Sequence, residues 1–290
     1  MDRRLSARII VATFLFVGCG LFPDVGDLEG TDAALLDAGT DHADSDAATI
    51  DAGDGAPDVS NGCPSGRGPA MIRVTDTYGS FCVDSTEVTN AQYHAMSGAP
   101  SLPPECKWKT GVTAVGENDD LPVASVDWCD AFAFCAWAGK HLCGSRNGAP
   151  IDDFGPADDP QVSEWYAACS RSGSRLYPYG ATFAATACNG CDRTSACANA
   201  NGAPATSVGS LAGCNGGYDG IFDMSGNVAE WTNDCDDAGG GKNDDCPPLG
   251  GSREGDAGAL TCTATEENIN GSVRSDTATD VGFRCCAAAP

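Results

Sequence analysis

The stretch DMSGNVAEW, residues Asp223 to Trp231, places two carboxylates, an asparagine and a glycine within nine positions. Hard cations such as calcium take about six to eight oxygen ligands, carboxylates and backbone carbonyls among them, in loose geometry. Asp223, Glu230 and carbonyls freed by a turn at Gly226 can supply several of these. The same residues also read as a tight turn in which Asp223 and Glu230 accept backbone N–H bonds and Trp231 fills the core. Residue type and spacing leave both readings open.

Sulfur is the other chemistry-bearing element. Seventeen cysteines are present, sixteen of them between Cys63 and Cys286. Outside the cytoplasm an even set of thiols is expected to oxidise, and eight disulfides is the simplest count. Cys188, Cys191, Cys197 and Cys214 include a CxxC spacing that zinc also uses, but an oxidising compartment favours cross-links. Cys235 and Cys246 are expected to bridge locally across a glycine-rich loop. His42, His94 and His141 are scattered, with no metal-ligand spacing. No phosphate-cradling glycine loop follows a strand and no GxSxG elbow occurs. Trp108, Trp128, Trp137, Trp165 and Trp231 read as packing residues.

The case for export rests on the first residues. Arg3, Arg4 and Arg8 precede an apolar run from Ile9 to Val17, the pattern of a secretion signal. That run is well short of the roughly 20 apolar residues a spanning helix needs. Gly18 before Cys19 resembles the bacterial lipoprotein cleavage box, which implies lipid on Cys19 and an anchor in the cell envelope; ordinary secretion is the alternative. From Gly20 to Gly62 there are ten Asp, one Glu and no Lys or Arg, too little apolar surface to offset ordering entropy. This segment reads as a solvated tether. Residues 63–290 carry a net charge of −16, which excludes a basic nucleic-acid footprint. The expected organisation is therefore 1–19 signal, 20–62 tether and 63–290 one folded domain.

Within that domain the elements that could position the candidate residues are few. A short strand is expected around Phe81 to Asp84. Thr89 can cap a helix over Asn90 to Ser97, ended by Gly98. Asp127 can cap the clearest helix, in which Trp128, Ala131, Phe132 and Cys135 share one face before Gly139 stops it. Ser163 can cap a third helix carrying Glu164, Trp165 and Cys169. After Tyr177 the chain is punctuated by Gly, Asn, Asp and Pro, so short strands and long loops are expected. The class is α+β, irregular and loop-rich.

In order, the segments STEVTNAQY, PVASVDWCDAFAFCAWAGK, SEWYAACS, YPYG, ATSVGS, GIFDMSGNVAEW, GGS and VGFRCC resemble the formylglycine-generating enzyme, or sulfatase-modifying factor, domain over about Phe81 to Cys286. The resemblance implies a C-type-lectin-like fold with a small twisted antiparallel sheet. It implies a structural calcium ion held by the Asp223 and Glu230 side chains and the Gly226 and Val228 carbonyls, and a second calcium site starting at Asn189 or Asn199. It also implies disulfides Cys135–Cys285 and Cys169–Cys262. Catalytic members carry, after GGS, two cysteines that hold Cu(I), an ion suited to soft thiolates. Here Ser252 ends GGS, the two positions are Gly255 and Leu260, and Leu249 stands where an arginine is usual. Copper is therefore not expected, and Ser252 receives no catalytic role. The iron-dependent relatives need an additional histidine-bearing domain that this sequence does not contain. The function expected is binding of a peptide, glycan or exported protein partner by an envelope lipoprotein. The alternative is an enzyme acting on exported proteins, an oxidase or a related modifying activity.

Overall fold

The computed structural model describes residues 62–98, 102–115, 119–152, 157–199, 202–236, 241–263 and 273–290. The expected signal with Cys19 and the expected tether through residue 61, His42 included, lie outside the described residues. Strands β1 (Met71–Asp76) and β2 (Gly79–Asp84) form an antiparallel hairpin in register from Met71 with Asp84 to Asp76 with Gly79. Asp76 Oδ1 accepts the Tyr78 N–H at 2.8 Å and closes the two-residue turn. The last strand in sequence, β8 (Cys285–Ala288), lies beside β2, and β3 (His141–Leu142) pairs with its other edge, giving the order β1-β2-β8-β3. Sequence reading places a strand at β2 and misses its hairpin partner β1 and also β8, whose pairings are set by distant strands.

The helices follow their caps. Thr89 forms a capping box with Gln92 at the head of α1 (Asn90–His94). This helix is shorter than the expected Asn90–Ser97. The Ala95 N–H is shared between Ala91 O and Gln92 O, which tightens the last turn before Gly98 is reached. Asp127 and Asp130 make the capping box of α2 (Trp128–Trp137), and Ser163 caps α3 (Glu164–Ser170), which a left-handed Arg171 ends. Two parallel pairs complete the regular structure: β4 (Ile151–Asp152) with β6 (Asp234–Cys235), and β5 (Ala229–Trp231) with β7 (Val281–Phe283).

Successive residues of a strand face opposite sides of a sheet, and β8 uses this directly. Cys285 enters the core formed with α2, where Phe134 meets Tyr93 and Phe283 at ring centroids of 5.9 and 5.4 Å. Cys286 enters the other core, with α3, Trp165, Met224 and Val83. Disulfides Cys135–Cys285 and Cys143–Cys286 bolt the strand to both layers, spanning 150 and 143 residues. In the chain-entropy model each such closure stabilises by about 5 kcal/mol. Among the described residues no helix is long and apolar enough to cross a membrane.

Candidate functional site

DMSGNVAEW forms a tight turn running into β5. Asp223, Gly226 and Asn227 take φ of 58, 74 and 62°. A Cβ on Gly226 would stand 2.6 Å from Asn189 O, so only glycine fits there. Asn227 is fully buried and spends its amide on the turn's surroundings. Its Nδ2 donates to Glu87 Oε2 at 3.0 Å and Thr206 O at 3.2 Å, and its Oδ1 accepts from Asn189 Nδ2 at 3.1 Å and Thr206 N at 3.0 Å. Glu87 Oε1 accepts the Val228 N–H at 3.1 Å.

Glu230 is 1% exposed and faces a guanidinium. Arg284 Nε donates to Oε2 at 2.7 Å and Oε1 at 2.9 Å, Nη2 donates to Oε1 at 2.7 Å, and Trp165 Nε1 donates to Oε2 at 2.7 Å. Arg284 also reaches Asp84 O and Phe222 O. The segment VGFR is thereby explained: a Cβ on Gly282 would lie 2.3 Å from Val123 O, Phe283 fills the core, and Arg284 is the central cation. Burial pushes the Asp223 carboxyl up to about 6, although the Gly209 N–H at 2.6 Å favours its ionised form. Burial, joined by the charges of Asp223 and Glu230, holds Glu87 well above the ordinary carboxylate range. Burial alone would lower Arg284, but the charge and hydrogen bonds of Glu230 together with the charges of Glu87 and Asp223 outweigh it, and the guanidinium is held more firmly protonated than usual.

The residues present do not fit a calcium ion held by Asp223 and Glu230. Both Glu230 oxygens already accept from Arg284, and a divalent ion beside them would displace or repel that guanidinium. Asn189 differs, because its Oδ1 is buried without a hydrogen-bond partner. One orphaned amide oxygen is far from the six to eight or so that calcium takes. Among the described residues no set of three carboxylates converges there: the sole grouping of three potential ligating side chains is Cys191, Asp192 and Cys197. Those two sulfurs are bonded to each other. Asn199, the alternative start of a second site, is exposed.

Gly255 and Leu260 sit side by side: a Cβ on Gly255 would lie 3.5 Å from Leu260 Cδ2. Leu260 is 2% exposed, and its side chain packs over Gly190 and Gly251. Backbone thus brings the two positions together and aliphatic carbon fills the space. Leu249 pairs with Glu230 through both backbone bonds at 2.9 Å. Ser252 Oγ donates to Asp280 Oδ2 at 2.7 Å.

All sixteen cysteines from Cys63 to Cys286 are in disulfides. The structure joins Cys135 to Cys285, Cys169 to Cys262 and Cys235 to Cys246. It joins Cys63 to Cys82, Cys106 to Cys129 and Cys143 to Cys286 as well. The quartet weighed for zinc is two bonds, Cys188–Cys214 and Cys191–Cys197, so it offers no thiolates. His94 is exposed on α1, and His141 Nε2 lies 2.9 Å from the buried Glu164 Oε2. Trp128, Trp165 and Trp231 are buried. Sequence reasoning assigned no role to Glu87, Asn227 or Arg284; the signal was available, since Glu87 stands in STEVTN and Arg284 in GFR.

A cleft of about 670 Å³ opens beside this region, with Pro122, Ala203 and Val228 in its buried lining and Asn90, Asp119 and Arg253 among its polar groups. Asp119 Oδ1 is held by Asn90 Nδ2 at 2.8 Å and Leu121 N at 3.1 Å, and Arg253 Nη1 by Thr279 O at 3.0 Å. Charged groups fixed in this way form a preorganised surface.

The fold and the buried carboxylate–guanidinium knot define a formylglycine-generating-enzyme-like domain of the α+β class. Residues 43–289 match the sulfatase-modifying factor enzyme 1-like domain, and the chain belongs to that family. The match begins upstream of residue 63, inside the segment expected as tether. Among solved structures the chain is similar to CarF, at 20% identity over 77% of this chain and 95% of that one, TM-score 0.45. It is similar to PvdO from Pseudomonas aeruginosa, at 17% identity over 77% and 90%, TM-score 0.46. It is also similar to variable protein 1 of Treponema denticola, at 16% identity over 77% and 94%, TM-score 0.45. No functionally curated protein matches the chain.

Proposed function

We propose that this protein is a binding module of the sulfatase-modifying-factor fold, exported and held at a bacterial envelope membrane by lipid on Cys19, that recognises a peptide, glycan or exported protein partner. One observation carries the reading. The adjacent positions 255 and 260 hold glycine and leucine, and every cysteine from Cys63 to Cys286 is spent on a cross-link. A site built this way has no thiolate pair to hold Cu(I) and no aliphatic-free space to receive it. The cleft with Asp119 and Arg253 supports recognition, since its volume is in the range of a ligand pocket of about 300–1,000 Å³.

The test is a thiol count on the denatured, unreduced mature protein together with a Cu(I) titration of the native one and the mass of the N-terminal peptide. No thiol, no stoichiometric copper and a diacylglyceryl-modified Cys19 are expected. Two thiols and one tightly held copper ion would overturn the reading in favour of an oxidase.

A further inference from the structure

We propose that the Cys191–Cys197 disulfide is an exchangeable bond that captures thiols on partner molecules by reaction at Cys197 Sγ. This goes beyond the binding-module reading and stands or falls separately from it. Of the sixteen cross-linked cysteines, fourteen are buried and Cys63 is half-buried, whereas Cys197 alone is exposed. Thiol–disulfide exchange is an in-line displacement, with the incoming sulfur opposite the leaving one. Cys191 is 1% exposed and lies on the inner side of the bond. An incoming thiolate therefore meets Cys197 from solvent and expels Cys191 inward. Attack on Cys191 itself would require approach from within the fold.

The bond also constrains the chain least. Its cysteines are 6 residues apart, against 11 to 150 for the other seven pairs, and stabilisation by cross-linking grows with loop length. Backbone contacts hold the loop independently of the sulfur. Arg193 N donates to Gly190 O, Ser195 N to Asp192 O, Ala196 N to Cys191 O, and Cys191 N to Gly255 O. Opening the bond leaves this frame in place, with Cys197 presented outward.

Asp192 sets the preferred partner. Its Oδ1 lies 3.4 Å from Cys197 Sγ, so an attacking thiolate with further negative charge is repelled and one flanked by cations is favoured. The partner class is a cysteine thiol in a basic context. In the step, the partner's sulfur forms a bond to Cys197 Sγ, the Cys191–Cys197 bond breaks, and Cys191 leaves with the electron pair and takes a proton from water. The product is a mixed disulfide and one free thiol. Attack by Cys191 on that mixed disulfide reverses the step and releases the partner thiol.

The experiment treats the native, unreduced protein with limiting cysteamine, quenches with iodoacetamide and maps each cysteine by peptide mass spectrometry. Cysteamine on Cys197 with carbamidomethyl on Cys191 is expected to appear about tenfold sooner than modification at any other pair. At equal thiolate concentration, cysteamine should outpace 3-mercaptopropionate, and Asp192→Asn should narrow that difference. A Cys191→Ser, Cys197→Ser double variant should melt cooperatively close to the parent, and a single Cys191→Ser variant should be recovered with Cys197 in a mixed disulfide. Modification first at Cys63–Cys82, even reactivity across all pairs, a requirement for denaturant, or failure of the double variant to fold would each overturn the proposal.

Discussion

Two neighbouring regions of the domain have been treated in opposite ways. Under GNVAEW the polar groups are knotted together: the buried Glu230 carboxylate is held by the Arg284 guanidinium, and the buried carboxyls of Glu87 and Asp223 lie within reach of its charge. At positions 255 and 260, polar chemistry is gone and Leu260 carbon fills the gap. The first region holds the fold together, and the second is where catalytic relatives place reactive sulfur. The difference teaches that adjoining loops of one scaffold can be fixed by opposite means, one by buried charge and one by aliphatic packing.

Breaking the polar side should cost most. Arg284→Met leaves the buried Glu230 carboxylate without its cation and should lower unfolding free energy by about 3–5 kcal/mol, or abolish folding. Adding Glu230→Gln should restore part of that loss, which denaturant titration of both variants would check. If Arg284→Met alone is harmless, the knot is not structural.

On the aliphatic side, Leu260→Ala should cost about 2–4 kcal/mol, the penalty for a large-to-small change at a site only 2% exposed. Gly255→Cys with Leu260→Cys sharpens the comparison. Because backbone already places the two positions together, this pair should bind one Cu(I) where the parent binds none. Spectroscopic titration would read it.

A smaller effect follows from protonation. Asp223 and Asp84 are both raised from 3.8 to about 6, chiefly by burial. A carboxyl raised on folding binds its proton more tightly in the native state, so its stabilising contribution is complete below about pH 4 and is lost as pH rises through about 6. Tm is therefore expected to be higher at pH 5 than at pH 7.5. Asp223→Asn keeps an acceptor for Gly209 and should flatten the dependence, removing at most about 3 kcal/mol of variation. Smallest of all, calcium or its chelator should shift Tm by about 1 °C or less, because Arg284 already supplies the positive charge at Glu230. A large stabilisation by calcium would reverse the account of that region.

Local signals in the sequence carry the helices well. Thr89, Asp127 and Ser163 each cap the helix expected from them, since a cap depends on residues three apart. The strands are less legible: β1 pairs locally, 3 to 13 residues away, but MIRVTD carries little alternation, while β8 draws its partners from more than 140 residues away and CCAA has no alternation to read. The same limit hid the real partner of Glu230. Spacing within DMSGNVAEW suggests a cation cage, but the cation arrives covalently, 54 residues later, on Arg284. Cysteine parity was readable, whereas the pairing of Cys63, Cys106, Cys143, Cys188 and Cys191 depends on which loops the fold brings together.

The inner position of β8 has a consequence for biogenesis. A sheet in which β8 lies between two earlier strands cannot close before that strand is available. Residues 285–288 have to arrive first, and then two adjacent sulfurs lock opposite layers at once. Until β8 is seated, Cys135 and Cys143 have no native mate, so closing the sheet and forming these two cross-links belong to a single late step of folding.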